Sequence, residues 1–158
     1  MLYLDSSALS KRYLQEKGSD ELKIKLQAAD RIHDPVLTSF LSFAEIHAAL
    51  ARKLKEQSFR VTEYHAAVTR FDSDWRTYLT RIELSQRVLA FVPDLVNRHP
   101  LKGPDAIQLA SALWAASATQ PRGIPESVEK SMLFVTADKQ LAGAAEKEQL
   151  RVFNPELA

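Results

Sequence analysis

Short apolar runs alternate with helical patterns along the sequence, and this alternation restricts the fold more than any other feature. The runs are Leu2–Leu4, residues 36–38 and residues 132–135, with Arg151–Phe153 as a candidate edge strand. Strands separated by helices in this way predict an α/β domain with a mainly parallel sheet. A chain of 158 residues can bury one sizeable core, so we expect a single domain over residues 1–158.

Helical patterns fill most of the remaining sequence. Helices are predicted for residues 7–15, 41–57, 62–78 and 85–98. One further helix is predicted to begin at Ser19, and the segments AIQLASALWAA and TADKQLAGAAEKE each predict another. Ser42 and Glu45 have the spacing of a capping box, which predicts a helix start at that point. Pro93 lacks a backbone donor and should kink or divide its helix, whereas residues 82–84 are only a weak strand prediction.

The composition excludes several classes of function. The 21 lysines and arginines balance 20 aspartates and glutamates, so a nucleic acid would have to be bound by a local patch or through a metal ion. Because the sequence has no cysteine, disulfides, thiolate zinc sites and cysteine nucleophiles are excluded. Nothing resembles a signal peptide or a run of about 18 apolar residues, so we expect a cytoplasmic protein without a membrane segment.

Four acidic residues occupy equivalent places in this pattern. Asp5 directly follows the first run, and Asp138 closely follows residues 132–135. Glu45 and Asp105 lie in the first turns of predicted helices. The carboxyl ends of parallel strands and the amino ends of the following helices share one edge of a sheet, so the four side chains could meet there. Carboxylates brought together in this way repel one another unless a cation compensates their charge.

Oxygen ligands alone favour Mg²⁺ or Mn²⁺, which also bind substrate phosphates, so the cluster predicts phosphoryl chemistry of the two-metal type. Each acid considered singly also has a structural explanation. Asp105 and Asp138 could stabilise helix dipoles, and Glu45 could complete the capping box. Asp5 is harder to explain in this way, because either of the two serines after it could cap the next helix.

Four stretches of the sequence resemble the PIN-domain ribonucleases, and more closely the VapC-like toxins of toxin–antitoxin pairs. They are LYLDSSALSKRY, LTSFLSFAEIHAAL, HPLKGPDAIQLASAL and LFVTADKQLAGAAEKEQLRVFNP, in the order expected for that family. The resemblance implies a three-layer α/β/α sandwich around a parallel sheet, and an endoribonuclease that cuts RNA with Mg²⁺ or Mn²⁺. It also implies a cognate antitoxin as partner and the formation of homodimers.

The resemblance assigns catalysis and metal binding by position to four residues, namely Asp5, Glu45, Asp105 and Asp138. Ser7 and Thr136 match hydroxyl positions that support the site by hydrogen bonding in the family, and local helix capping is an alternative role for both.

Two features depart from the family pattern. Some relatives carry a further acid shortly after the fourth, whereas Lys139, Gln140 and Leu141 follow here. We therefore expect one metal ion in the free protein. Residues 117–130 are predicted to form an exposed loop that is longer than the usual connection, and this loop is a candidate contact for a partner or substrate.

A metal-dependent ribonuclease is the function that these residues favour. The alternative is a PIN-like module that binds RNA or protein without catalysis, which the absence of the further acid would explain. A third interpretation is a small-molecule phosphatase or phosphoacceptor domain that uses Asp5. Ser7 stands where the Asp-x-Asp form of such phosphatases has its second acid, which disfavours that form.

Overall fold

Within residues 1–118 and 132–158, the part of the chain that the computed structural model describes, five strands form one sheet. The strands are β1 Leu2–Leu4, β2 Val36–Ser39, β3 Leu79–Ile82, β4 Leu133–Val135 and β5 Arg151–Phe153. Their order across the sheet is β3-β2-β1-β4-β5, and every neighbouring pair is parallel. The predicted parallel sheet is therefore confirmed.

The first strand, β1, lies at the centre of the sheet. Tyr3 pairs with Leu37 of β2 on one side and with Phe134 of β4 on the other. Parallel pairing brings the carboxyl ends of the strands to one side of the molecule, which we call the carboxyl edge. Asp5 lies at this edge, where its backbone N–H donates to the carbonyl of Val135 at 3.1 Å.

Helices form the connections between the strands. They are α1 Ser6–Ser10, α2 Ser19–Arg31, α3 Ser42–Lys55, α4 Val61–Thr77, α5 Gln86–Leu89, α6 Val92–Arg98, α7 Gly103–Ala118 and α8 Lys139–Lys147. The division predicted at Pro93 is confirmed, because α5 ends before it and Pro93 lies in the first turn of α6. Of the predicted loop over residues 117–130, the first two residues end α7 and the rest lies outside the described residues. No helix in the described ranges is long and apolar enough to cross a membrane.

The side chains of the sheet alternate between two hydrophobic layers, as strand geometry requires. Leu2 and Leu4 pack with α1 to α4, whereas Tyr3 packs with α5 to α8. The largest fully buried side chains include Phe71 in the first layer and Leu109 in the second. The chain is therefore a three-layer α/β/α sandwich, as the resemblance implied.

The first helix is shorter than predicted. The expected helix runs to residue 15, but α1 ends at Ser10 because tight turns follow it. The N–H groups of Lys11 and Arg12 donate to carbonyls three residues earlier, those of Ala8 and Leu9, at 3.1 Å each. The polypeptide therefore leaves α1 within a few residues of the carboxyl edge.

The third strand begins three residues before its predicted position. Leu79 and Ile82, the first and last residues of β3, are buried, whereas Leu84 is 39% exposed and lies beyond the strand. The weak strand prediction over residues 82–84 therefore overlaps β3 only at Ile82.

Among the glycines in the described residues, Gly18 should be the most sensitive to substitution. Its φ of 85° lies in the left-handed region, and an added Cβ would lie 2.8 Å from backbone atoms of Pro155. We expect Gly18→Ala to lower the free energy of unfolding by at least about 1 kcal/mol and the Tm by about 3 °C or more. Thermal unfolding followed by circular dichroism measures this change.

Gly143→Ala is the matched control, because no atom would lie within 4 Å of a Cβ at this position inside α8. The control should be neutral or stabilising by up to about 1 kcal/mol, since alanine favours helix. Equal melting temperatures for the two variants would contradict the prediction.

Candidate active site

Asp5 is a buried carboxylate that is held by three hydrogen-bond donors. It lies directly after β1 and is 3% exposed. Oδ1 accepts from the backbone N–H of Ala8 at 2.8 Å, and Oδ2 accepts from the hydroxyl of Thr136 at 2.7 Å. The Ser7 hydroxyl donates to the same carboxylate, at 2.9 Å from Oδ1 and 2.8 Å from Oδ2. These three protons leave one of the roughly four acceptor positions of the carboxylate free.

The contact with Ala8 makes Asp5 itself the N-cap of α1. The expectation that a serine after it would take this role was wrong, because the backbone places the carboxylate of Asp5 over the first turn. Asp5 therefore combines a local capping role with its place at the carboxyl edge.

Ser7 and Thr136 join the segment after β1 to the segment after β4. The Ser7 Oγ accepts from the backbone N–H of Ala137 at 2.9 Å, and the Thr136 Oγ1 accepts from the backbone N–H of Asp138 at 3.0 Å. Since both hydroxyls also donate to Asp5, they link the buried acid to the segment that carries Asp138.

The predicted capping box at the start of α3 does not form. Leu41 occupies the N-cap position and makes no side-chain cap. The Ser42 hydroxyl lies 2.7 Å from the hydroxyl of Thr38 instead, inside the protein. The prediction was wrong because Ser42 lies inside the helix, where its hydroxyl also accepts from Nε2 of the distant residue Gln108 at 3.0 Å.

Contacts with distant residues orient the side chain of Glu45. Its Oε2 accepts hydrogen bonds from the Ser6 hydroxyl and from Nε2 of Gln108, the latter at 2.8 Å. Ser6 follows β1 and Gln108 lies on α7, so Glu45 is held by two elements that neighbour α3.

Asp105 and Asp138 lie at the amino ends of the two helices that complete the site. Asp105 is half-buried in the first turn of α7. Asp138 is exposed and caps α8 through Oδ1, which accepts from the backbone N–H of Leu141 at 2.8 Å. Both positions stabilise helix dipoles as well as carrying charge to the carboxyl edge.

The four carboxylates interact electrostatically. The pKa of Asp5 is raised from 3.8 to about 6, mainly by burial and also by the charge of Asp138, against the opposing hydrogen bonds. Burial also raises the pKa of Asp105, and the charges of Asp138 and Glu45 add to this effect. The charge of Asp138 therefore acts on both Asp5 and Asp105, and the charge of Glu45 acts on Asp105.

Within the described ranges, lysine, arginine and histidine form their ion pairs with other acids and not with these four. Lys11 and Arg12, about one turn beyond Asp5, are engaged elsewhere, Lys11 with Glu16 and Arg12 with Asp74. The charge of Lys102 acts on Asp105, but no ion pair within the described residues compensates the negative charge of the cluster, so a cation could bind there.

The donor set fits a hard divalent cation that keeps part of its hydration. No group of three or more aspartate, glutamate or histidine side chains in residues 1–118 and 132–158 is arranged to hold a metal ion together. Mg²⁺ does not require one, because it is often bound by one or two carboxylates, with waters and substrate phosphates as its other ligands. Asp5, Glu45, Asp105 and Asp138 could hold such an ion.

Sequence reasoning missed Gln108, which contacts Glu45 and is 2% exposed. Two signals point to it. Gln108 is an amide within the apolar stretch AIQLASALWAA, and it follows Asp105 by three residues, so the two share one face of α7.

The ionisation of Asp5 should make the metal-free protein less stable as the pH rises. The folded-state pKa of about 6 exceeds the unfolded value near 3.8, so stability from this group is lost between about pH 4 and pH 6. Asn cannot ionise, so from pH 4 to pH 8 the unfolding free energy of Asp5→Asn should gain about 2 kcal/mol relative to wild type. Urea denaturation in EDTA at several pH values measures this difference.

Asp20→Asn is the control, because Asp20 is an exposed acid in the first turn of α2, remote from the cluster. Its difference from wild type should stay nearly constant over the same range. A constant difference for Asp5→Asn would contradict the prediction.

Comparison with known proteins places the chain in one family. Ribonuclease VapC45 of Mycobacterium tuberculosis strain CDC 1551 / Oshkosh and ribonuclease VapC49 of strain H37Rv are each 32% identical to it over 114 residues. The matched region covers 72% of this chain and 75% of each relative. No protein-family model matches the sequence.

Solved structures share the fold at low sequence identity. They include VapBC2 from Rickettsia felis bound to a promoter DNA fragment (TM-score 0.64, 14% identity) and FitAcB from Neisseria gonorrhoeae (TM-score 0.65, 16% identity). A toxin–antitoxin complex from Klebsiella pneumoniae matches with a TM-score of 0.57 and 20% identity, and all three alignments cover 98% of both chains. Since the two mycobacterial ribonucleases are 32% identical to this chain over more than two thirds of its length, the chain belongs to the VapC ribonuclease family.

Proposed function

We propose that the protein is the toxin of a toxin–antitoxin pair, an endoribonuclease that hydrolyses RNA phosphodiester bonds with Mg²⁺ or Mn²⁺ held by Asp5, Glu45, Asp105 and Asp138. The observation that carries the proposal is that these four carboxylates follow strands or begin helices at the carboxyl edge, where none of them forms an ion pair with a basic side chain of the described residues. The membership of this chain in the VapC ribonuclease family supports RNA as the substrate.

The acids differ in how they are held and in how accessible they are. The three donors to Asp5 fix its carboxylate, and the Oδ1 of Asp138 is held by the helix that it caps. Asp138 is exposed, whereas Glu45 and Asp105 are half-buried and Asp5 is buried, so Asp138 would meet the incoming phosphodiester first. A bound divalent cation would polarise a phosphoryl oxygen and lower the pKa of a bound water.

Metal-dependent cleavage is the direct test. We expect Asp105→Asn to lower the rate of RNA cleavage by about 100-fold or more, which corresponds to a loss of roughly 3 kcal/mol of transition-state stabilisation. Asp105 makes no side-chain ion pair in the described ranges, so the variant should fold as wild type does. Purified proteins are incubated with structured RNA in Mg²⁺, Mn²⁺ or EDTA.

Asp20→Asn again serves as the control and should cleave as wild type does. Equal cleavage by wild type and Asp105→Asn would indicate a contaminating nuclease and contradict the assignment. Retention of RNA without cleavage in any metal would favour the non-catalytic module, which the absence of an acid after Asp138 also favours.

Exposed lysines beside the acids would bind the RNA backbone. Lys102 is exposed and close enough to Asp105 for its charge to lower the pKa of that acid, and Lys139 is exposed next to Asp138. We expect Lys102→Ala to raise the KM for RNA several-fold and to reduce the salt dependence of binding by about one phosphate contact. Steady-state kinetics at several salt concentrations measure both quantities.

Lys55→Ala is the matched control, since Lys55 is an exposed lysine in the last turn of α3, at the opposite end of that helix from Glu45. A similar rise in KM for both variants would mean that RNA binding depends on overall charge and not on the carboxyl edge.

We also propose an antitoxin and a second copy of the chain as partners. Phe40 and Phe43 are 49% and 40% exposed, and both contact the buried Trp75, which leaves an aromatic surface between α3 and α4. Exposed apolar surface of this kind commonly marks a protein partner. The structural relatives include toxin–antitoxin complexes, which supports an antitoxin as the kind of partner that would bind here.

A further inference from the structure

A buried chain of hydrogen bonds runs from the sheet to the acid on α3. The hydroxyl of Tyr3, on β1, donates to Oε1 of Gln108 at 2.9 Å. The amide nitrogen of Gln108 lies 2.8 Å from Oε2 of Glu45, with Ser6 Oγ at 2.8 Å and Ser42 Oγ at 3.0 Å. One amide therefore connects the central strand, α1, α3 and α7.

Tyr3 fixes the direction in which this amide points. Its side chain is fully buried and stacks on Phe134 at 5.4 Å between ring centroids. The phenol hydroxyl carries one proton, and it donates this proton to Oε1 of Gln108. Because the amide oxygen accepts that proton, the amide nitrogen of Gln108 must face Glu45.

The hydrogen bonds to Glu45 are confined to one of its two oxygens. Oε2 accepts from Ser6 and Gln108, whereas Oε1 has no hydrogen bond within the described residues. No buried side-chain oxygen in the described residues lacks a partner, so Oε1 is in contact with solvent. The donors on Oε2 are neutral, and they orient the carboxylate without cancelling its charge.

We propose that Gln108 is a positioning residue for Glu45, which holds the carboxylate so that its free oxygen Oε1 faces the other acids and a divalent cation. This role rests on the proposed metal-dependent function. Gln108 touches neither the substrate nor the cation, and it acts through Glu45. The helix that carries Asp105 therefore supplies both one acid and the group that aligns another.

The test measures binding of Mn²⁺ alone, by calorimetry, to the full-length protein and its variants. Gln108→Met keeps the length and approximate volume of the side chain but removes both polar groups. We expect the Kd for Mn²⁺ to rise about 10-fold or more, as is typical when a group that orients a metal ligand is removed. Tyr3→Phe removes only the hydroxyl that donates to the amide oxygen of Gln108, and it should raise the Kd for Mn²⁺ by a smaller factor.

RNA cleavage provides a second measurement. For Gln108→Met we expect a lower kcat at limiting Mn²⁺, partial recovery at high Mn²⁺, and a KM for RNA close to the wild-type value. A purely structural role would not produce recovery by added metal.

Ser19→Ala is the matched control, because the buried Ser19 hydroxyl donates to the carbonyl of Leu14 at 2.9 Å, outside this network. It should lose stability without a change in the Kd for Mn²⁺. If Gln108→Met does not fold, the double variant Tyr3→Phe, Gln108→Met removes both hydrogen-bonding partners and carries the same expectation.

A folded Gln108 variant with the wild-type Kd for Mn²⁺ would overturn this inference alone, provided that the wild-type protein binds Mn²⁺ and cleaves RNA. A wild-type protein that does neither would contradict the proposed function and this inference together.

Discussion

The repulsion among carboxylates at the carboxyl edge is the interaction on which the rest of the site depends. Asp5 is buried, and both its burial and the charge of Asp138 favour the protonated form. Asp105 is affected in the same way by Asp138 and Glu45. Keeping these negative charges together lowers the stability of the fold, and a bound cation would relieve the repulsion.

Neutral donors make this arrangement possible. The hydroxyls of Ser7 and Thr136 hold Asp5, and the Ser6 hydroxyl and the amide of Gln108 hold Glu45. Hydroxyl and amide groups satisfy carboxylate oxygens without neutralising them, whereas a lysine or arginine would compete with a metal ion. The nearby cations Lys11 and Arg12 are paired with acids outside the cluster, which is consistent with this division.

Some of the site could be predicted from the sequence because it follows from periodicity. Asp5 and Asp138 were found by their positions after apolar runs, and Asp105 by its position in the first turn of a predicted helix. Gln108 was missed because its role depends on contacts with Tyr3 and Glu45, which are 105 and 63 residues away in the sequence. The capping box at Glu45 was a wrong prediction for the same reason, since distant donors displaced the local contact.

The sequence by itself determined the alternation of strands and helices, the parallel sheet and the placement of acids at the ends of strands and the starts of helices. These features depend on local periodicity and on helix-capping chemistry, which neighbouring residues encode. Only the tertiary structure decided which oxygen of Glu45 is held and which is free, and that Asp5 caps α1 as well as joining the acid group. Such choices depend on side chains from different segments competing for the same hydrogen bonds, and that competition takes place only when the sheet has brought the segments together.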